Sequence, residues 1–385
     1  MLGIACSGPE AGEPDASIGH DAGTDMGIDA DRDAAADAGA AMSLEVRGLG
    51  VQGFVLSYRG ESVMTAPLFT RQSTVEIGLN LPITADTAAI DTGLADVRIS
   101  DIRAVITGHA HYDHLLDVVH VLALAPSAIF YGNRSAAHIF AAYAPDRDVS
   151  CTGAPHLPPI VRTQVVALDD PLASHVDYTN CPDQLPPGAP MDGSWVMVPG
   201  SHIRLMPVCT THPAQIGPIH FGPGGVDTDL CDPPAPAAGW LEGQTLSYVI
   251  DFLGDDGRPA FRVYYQDAPA TRPIGEVPPS ILADHRVDLA ILCVGSNDAV
   301  MNQPTDIIAN VDPRFVFSGH WEDFFRPLDR PIMPLPLLNV TQYVMRAETA
   351  LPAPPDAPLL VDGAPVAGRH VLIMPGMHLV VPAAR

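Results

Sequence analysis

Six residues, His109-Ala110-His111-Tyr112-Asp113-His114, constrain this chain more than any other stretch, because they set three imidazoles and a carboxylate directly after the apolar run Ala104-Val105-Ile106-Thr107. Residues at i and i+2 leaving a strand end point the same way, so His109 and His111 are placed to grip one cation. The run from Leu115 to Leu122 spaces its apolar residues as a helix does, which puts Asp113 and His114 in a first turn, facing a second cation. Single histidines are common in strand-to-helix loops. Donors packed this tightly repel one another once charged unless a cation neutralises them.

The pattern His-x-His-x-Asp-His resembles that of the metallo-β-lactamase fold superfamily. The resemblance implies three further ligands downstream, each at the end of a strand. His212 follows the strand-like run Ile203 to Thr211, Asp267 follows Phe261 to Gln266, and His320 follows Arg314 to Gly319. Singly, each has a plain explanation: a turn residue before Pro213, a loop cap, a core histidine beside Trp321. In this order and at these strand ends they match the family's ligand positions. The resemblance runs from about Leu44 to His320 and implies an α/β fold, a four-layer αββα sandwich.

The same resemblance assigns roles. His109, His111 and His212 would hold one metal; Asp113, His114 and His320 a second; Asp267 would bridge both, and Asp113 would also shuttle a proton. Mixed histidine and carboxylate donors without cysteine suit two divalent ions, most simply Zn2+, with Mn2+ or iron compatible. The implied activity is a metal-dependent hydrolase in which a metal-bridging hydroxide cleaves an ester, lactone or phosphodiester of a small molecule or lipid. The block Asp288 to Gly295, a helix expected over Pro304 to Asn310, and Phe317-Ser318-Gly319-His320 look most like the lactonase and N-acyl-phosphatidylethanolamine phospholipase D branch. Two other classes stay open: an iron-dependent oxidoreductase on the same ligands, and a tethered binding protein with impaired catalysis. Relatives usually place Asp-Pro after the strand Ser62-Val63-Met64-Thr65, where this chain has Ala66-Pro67. That carboxylate would hydrogen-bond near the ligands, so Ala66→Asp is expected to tighten metal binding.

Composition removes several alternatives. All 20 basic residues are arginine, so Schiff-base and phosphate-loop lysine chemistry are excluded. A formal net charge of -25 argues against nucleic acid, whose backbone needs clustered cations. No Gly-x-Ser-x-Gly elbow supports a serine hydrolase. The 385 residues, 47% of them hydrophobic, allow one large core, and no apolar run is long enough to span a bilayer.

The expected organisation is a tract over residues 1–42 and a catalytic domain over 43–385 with Pro-rich loop insertions. The Asp/Ala/Gly stretch from Asp15 to Ala41 is too polar to fold and reads as an acidic tether. Leu2-Gly3-Ile4-Ala5-Cys6 looks like the cleavage end of a lipoprotein signal too short to work alone. Either Cys6 carries a lipid anchor and the protein sits at the cell envelope, on the periplasmic or outer-membrane face, or Cys6 is an ordinary residue and the protein is cytoplasmic. Cys151 and Cys181 flank one Pro-rich segment and Cys209 and Cys231 another, which allows two bridges in an oxidising compartment, while Cys293 reads as core. His220 and Phe221, close after His212, are weaker candidates for substrate contact. Trp240 reads as core.

Overall fold

The computed structural model describes residues 43–170 and 195–384. Six strands open the fold: β1 (Ser43–Gly50), β2 (Gly53–Tyr58), β3 (Glu61–Thr65), β4 (Ile102–Ile106), β5 (Ile129–Gly132) and β6 (Val165–Ala167). A second set follows: β7 (Val196–Met197), β8 (Ile203–Cys209), β9 (Leu246–Leu253), β10 (Pro259–Gln266), β11 (Leu289–Cys293) and β12 (Phe315–Gly319). The chain closes with β13 (Leu359–Val361), β14 (Ala364–Val366), β15 (His370–Leu372) and β16 (His378–Pro382). They form a nine-stranded sheet, β14-β13-β16-β1-β2-β3-β4-β5-β6, and a seven-stranded sheet, β15-β12-β11-β10-β9-β8-β7.

Alternation along the strands decides the layers. Leu44, Val46, Phe54 and Leu56 of the first sheet meet Tyr248, Ile250, Val263 and Tyr265 of the second in one core between the sheets. The alternate residues Val55, Met64 and Val105 face the other way, onto Ile90, Val121 and Ile139 of the helices Thr87–Gly93, Val118–Leu124 and Arg134–Phe140. On the far side, Val249, Ala290 and Val316 pack against Ile308 of Thr305–Val311 and against Tyr343 and Ala347 of Val340–Ala350. Tyr343 and Ala347 lie one helical turn apart, so they share the buried face. The four layers are helix, sheet, sheet, helix, as expected from the resemblance. Each fully buried Leu, Ile or Phe in these layers contributes about 1.5–3 kcal/mol.

Two expectations change. The helix foreseen from Leu115 to Leu122 is two short helices, Tyr112–Leu115 and Val118–Leu124. The break falls at Asp117, whose carboxylate turns away to accept from Phe69 N (2.6 Å), Thr70 N (2.8 Å) and Thr70 Oγ1 (2.6 Å). The cysteine pairing by flanked segment is also replaced: Cys151 is bonded to Cys231. Both loops lie on the same helix end, where Leu230 N donates to His138 O and Arg147 reaches Cys231 O, so neighbours in space differ from neighbours in sequence. Cys209 is disulfide-bonded as well, and Cys293 is a buried free thiol. Beyond His320, where the motif resemblance ends, β16 inserts between β13 and β1 and β15 extends the second sheet beside β12. The tether, Cys6 and Cys181 lie outside the described residues. Among the described residues no helix is long and apolar enough to cross a membrane.

Candidate metal centre

Every expected ligand leaves the C-terminal end of a strand. β10, β11 and β12 run parallel, and β9 lies antiparallel between β8 and β10, so β8, β10 and β12 all end on one edge. The loop after β4 meets that edge from the other sheet: Leu246 N donates to Gly108 O (2.7 Å) and Gly108 N to Asp267 Oδ2 (2.7 Å). A Cβ at Gly108 would stand 2.2 Å from Leu246 O and 2.3 Å from the Asp267 Cβ, so only glycine permits this approach. His111 then caps the helix Tyr112–Leu115, its carbonyl accepting from His114 N and Leu115 N, which turns Asp113 and His114 back into the site.

The structure brings all seven expected residues together. Donor atoms of His109, His111 and His212 lie within 4.8 Å of one another, as do those of Asp113, His114 and His320. In the second group Asp113 Oδ2 stands 3.3 Å from His320 Nε2 and 3.6 Å from His114 Nε2. The rings of His109 and His114, one from each group, have centroids 4.1 Å apart. Asp267 sits beneath both rings, with Oδ2 2.8 Å from His109 Nδ1 and Oδ1 3.0 Å from His114 Nδ1. Its oxygens also accept from His109 N (3.1 Å) and the Tyr265 hydroxyl (2.5 Å).

The imidazoles suit cations. Carboxylate and carbonyl oxygens accept only, so a ring nitrogen bonded to one must carry the proton and the other nitrogen must carry the lone pair. His109 and His114 give Nδ1–H to Asp267, His111 gives Nε2–H to Gly222 O (3.2 Å), and His212 gives Nδ1–H to Pro213 O (2.7 Å). That leaves lone pairs on His109 Nε2, His111 Nδ1, His114 Nε2 and His212 Nε2. His109 Nε2 is buried without a hydrogen-bond partner, as is His320 Nδ1. A buried polar atom left so costs about 1–3 kcal/mol unless something binds it.

Electrostatics keep the donors in ligand form. Burial, with His109 beside it, pushes His111 down to about 3. Burial and then His109 and His111 hold His212 well below its usual value. Both rings are therefore neutral near pH 7. Burial opposes charge on Asp113 and Asp267, but the imidazoles around them outweigh it and hold both carboxyls well below the usual carboxylate range.

His320 takes a left-handed backbone (φ 56°) with its N–H on Val51 O (2.6 Å), and Gly295 lies against its ring. A non-glycine residue there is strained, the kind of cost that collects at functional sites. Of the weaker candidates, His220 bonds Glu242 Oε2 (2.7 Å) and stacks on His212 with centroids 5.7 Å apart, while Phe221 is half exposed at the loop tip. Donor atoms of His109, His114 and Asp267 form a further such group, and sequence reading missed Glu242, which completes a fourth with His212 and His220. It missed Tyr265 under Asp267 and Phe324 against the His320 ring (5.3 Å). Neither a lone acid in Leu241-Glu242-Gly243 nor a tyrosine inside a strand carries a local signal. Trp240 is buried core, as expected.

No family model matches the chain, and no curated protein matches it in sequence. Several solved structures are similar. The metallo-β-lactamase fold protein YhfI from Bacillus subtilis aligns at 12% identity over 88% of this chain and 99% of its own, with a TM-score of 0.43. Igni18, a metallo hydrolase from Ignicoccus hospitalis, aligns at 14% identity over 88% and 98%, with a TM-score of 0.40. CmlA, a diiron β-hydroxylase from Streptomyces venezuelae, aligns at 11% identity over 80% and 50%, with a TM-score of 0.38.

Proposed function

We propose that this chain is a metal-dependent hydrolase of the metallo-β-lactamase superfamily that cleaves an ester, lactone or phosphodiester bond in a small molecule or lipid. The observation that carries the reading is the pair of adjacent three-donor groups, His109/His111/His212 and Asp113/His114/His320, with four of the five imidazoles fixed by an acceptor on the far nitrogen. Ligating histidines are held in this way, and such partners orient the ring and raise its basicity. Divalent ions held there would supply Lewis acidity toward a carbonyl or phosphoryl oxygen and would lower the pKa of water.

The chain's own residues do the rest. Gly222 O and Pro213 O fix the rings of His111 and His212, so the 213–222 loop that frames the first group also sets its tautomers. Asp113, partly open at 13% side-chain exposure, is the carboxylate placed to exchange a proton with whatever binds. The loop tip offers Ile216, Ile219 and Phe221 to solvent beside His212, an apolar flank suited to the non-polar part of a substrate. A cell-envelope location is part of this proposal, supported by the Cys151–Cys231 bridge, which belongs to oxidising compartments. It is tested by whether Cys6→Ser releases the protein from membranes.

Elemental analysis of the purified protein, followed by chromogenic esters, lactones and phosphodiesters with and without chelator, tests the activity. Bound transition metal and chelator-sensitive turnover of one class are expected. Metal without turnover of any of the three overturns hydrolysis and leaves the metal centre standing.

A further inference from the structure

Asp267 is committed on every side. Oδ2 takes Gly108 N, His109 N and His109 Nδ1, and Oδ1 takes His114 Nδ1 and the Tyr265 hydroxyl. Five donors meet a carboxylate that has about four acceptor sites, so no lone pair remains for a cation. To ligate a metal, Asp267 would have to release the Nδ1–H of His109 or His114, and that ring would lose the proton placement that frees its Nε2. The backbone is built to the same end, because the glycine at 108 is what lets the loop close onto this carboxylate.

We propose that Asp267 is a positioning residue shared by both cation groups, gripping His109 and His114 from the buried side, and not a ligand bridging two cations. This rests on the metal-binding reading above and replaces the bridging role that the family resemblance implies. It also explains how the chain manages with Ala66, which has no acceptor: the carboxylate that orients the ligands comes from β10 instead of from the end of β3. Tyr265, two residues earlier on the same face of β10, holds Asp267 in turn.

The test is Co2+ binding to the full chain, read by elemental analysis, by calorimetry and by proton NMR of the paramagnetic protein. In the wild type, His109 and His114 should each give a shifted, slowly exchanging Nδ1–H signal. Asp267→Asn should still saturate at the wild-type Co2+ stoichiometry, with affinity down about 10 to 100-fold in both groups and with both signals displaced or lost to exchange. Tyr265→Phe, which removes one hydrogen bond further out, should weaken both groups about fivefold and keeps the question answerable if the Asp267 variant does not fold. Loss of half the Co2+ in Asp267→Asn, or wild-type spectra without the two Nδ1–H signals, would overturn the positioning role alone. A wild-type protein that takes up no Co2+ would overturn the metal reading as well.

Discussion

The second sheet buries charge at both of its edges, and the two edges do it differently. At the N-terminal ends of β10 to β12, Arg262 is fully buried and spends every nitrogen. Nε and one terminal nitrogen grip Asp251 (2.7 and 2.8 Å), and the other reaches Asp284 (2.7 Å) and two carbonyls. Asp251 also takes Arg204, and Asp288 takes Arg314 (2.9 Å) and the Arg262 backbone (2.9 Å). At the opposite edge, the carboxylates of Asp113 and Asp267 stand among imidazoles, burial holds His111 and His212 neutral, and His109 Nε2 and His320 Nδ1 are unpartnered. One edge is electrostatically finished. The other gathers carboxylates and unpartnered ring nitrogens, an arrangement suited to a cation.

The largest expected contrast comes from removing one charge at each edge. Arg262→Ala should cost about 3–5 kcal/mol of unfolding free energy, because it breaks a buried ion pair and leaves Asp251 to Arg204 alone. His111→Ala in the cation-free protein should cost far less, while cutting metal content and turnover. Equal losses in a urea titration would erase the distinction.

Cation occupancy comes next. At a hundredfold excess over Kd, a bound ion should stabilise the protein by about 2.7 kcal/mol, visible as a higher melting temperature that chelator reverses. The Arg262→Ala protein should show the same increment if the two edges are independent.

Ala66→Asp is a finer test. Residue 66 is fully buried at a positive φ of 23°, and the ring nitrogens that such a carboxylate would address are already on Asp267. The substitution should therefore destabilise by about 1–3 kcal/mol and weaken metal retention, the reverse of the expectation from the family pattern. Tighter binding in a chelator competition would show that the pocket still has room for the family's carboxylate.

The smallest effect concerns a part-buried imidazole outside the centre. His370 on β15 bonds Ser318 Oγ (3.0 Å), and burial pushes it down to about 4. The unfolded chain, with a histidine near 6.5, binds the proton first, so stability is full above that pH and declines as pH falls toward 4. His370→Leu should flatten this part of the melting temperature profile. An unchanged slope would assign acid sensitivity to the metal centre instead.

Much of the site was legible because its signal is local. A histidine or aspartate immediately beyond an apolar run can be placed at a strand end without knowing the fold, and His109, His212, Asp267 and His320 were. What stayed hidden depends on which atoms meet across the chain. Whether Asp267 faces a cation or the back of two rings is decided by Gly108 and Tyr265, 159 residues before it and two residues before it. Cys151 meets Cys231 because two loops share a helix end. The break at Asp117 comes from Thr70, 47 residues away.

The position of β16 has a consequence in time. Arg47 on β1 pairs with His378 on β16, about 330 residues later. At roughly 5–20 residues per second, a ribosome needs some tens of seconds to cover that distance. Throughout, β1 has β2 on one side and an open row of backbone donors and acceptors on the other, a template for any passing strand. His320 too is made well after the loop it must meet. The nascent chain thus carries His109, His111, Asp113 and His114 well before His212 and His320 complete the two groups, and holding the β1 edge apart from other chains until β16 arrives becomes a task for the cell.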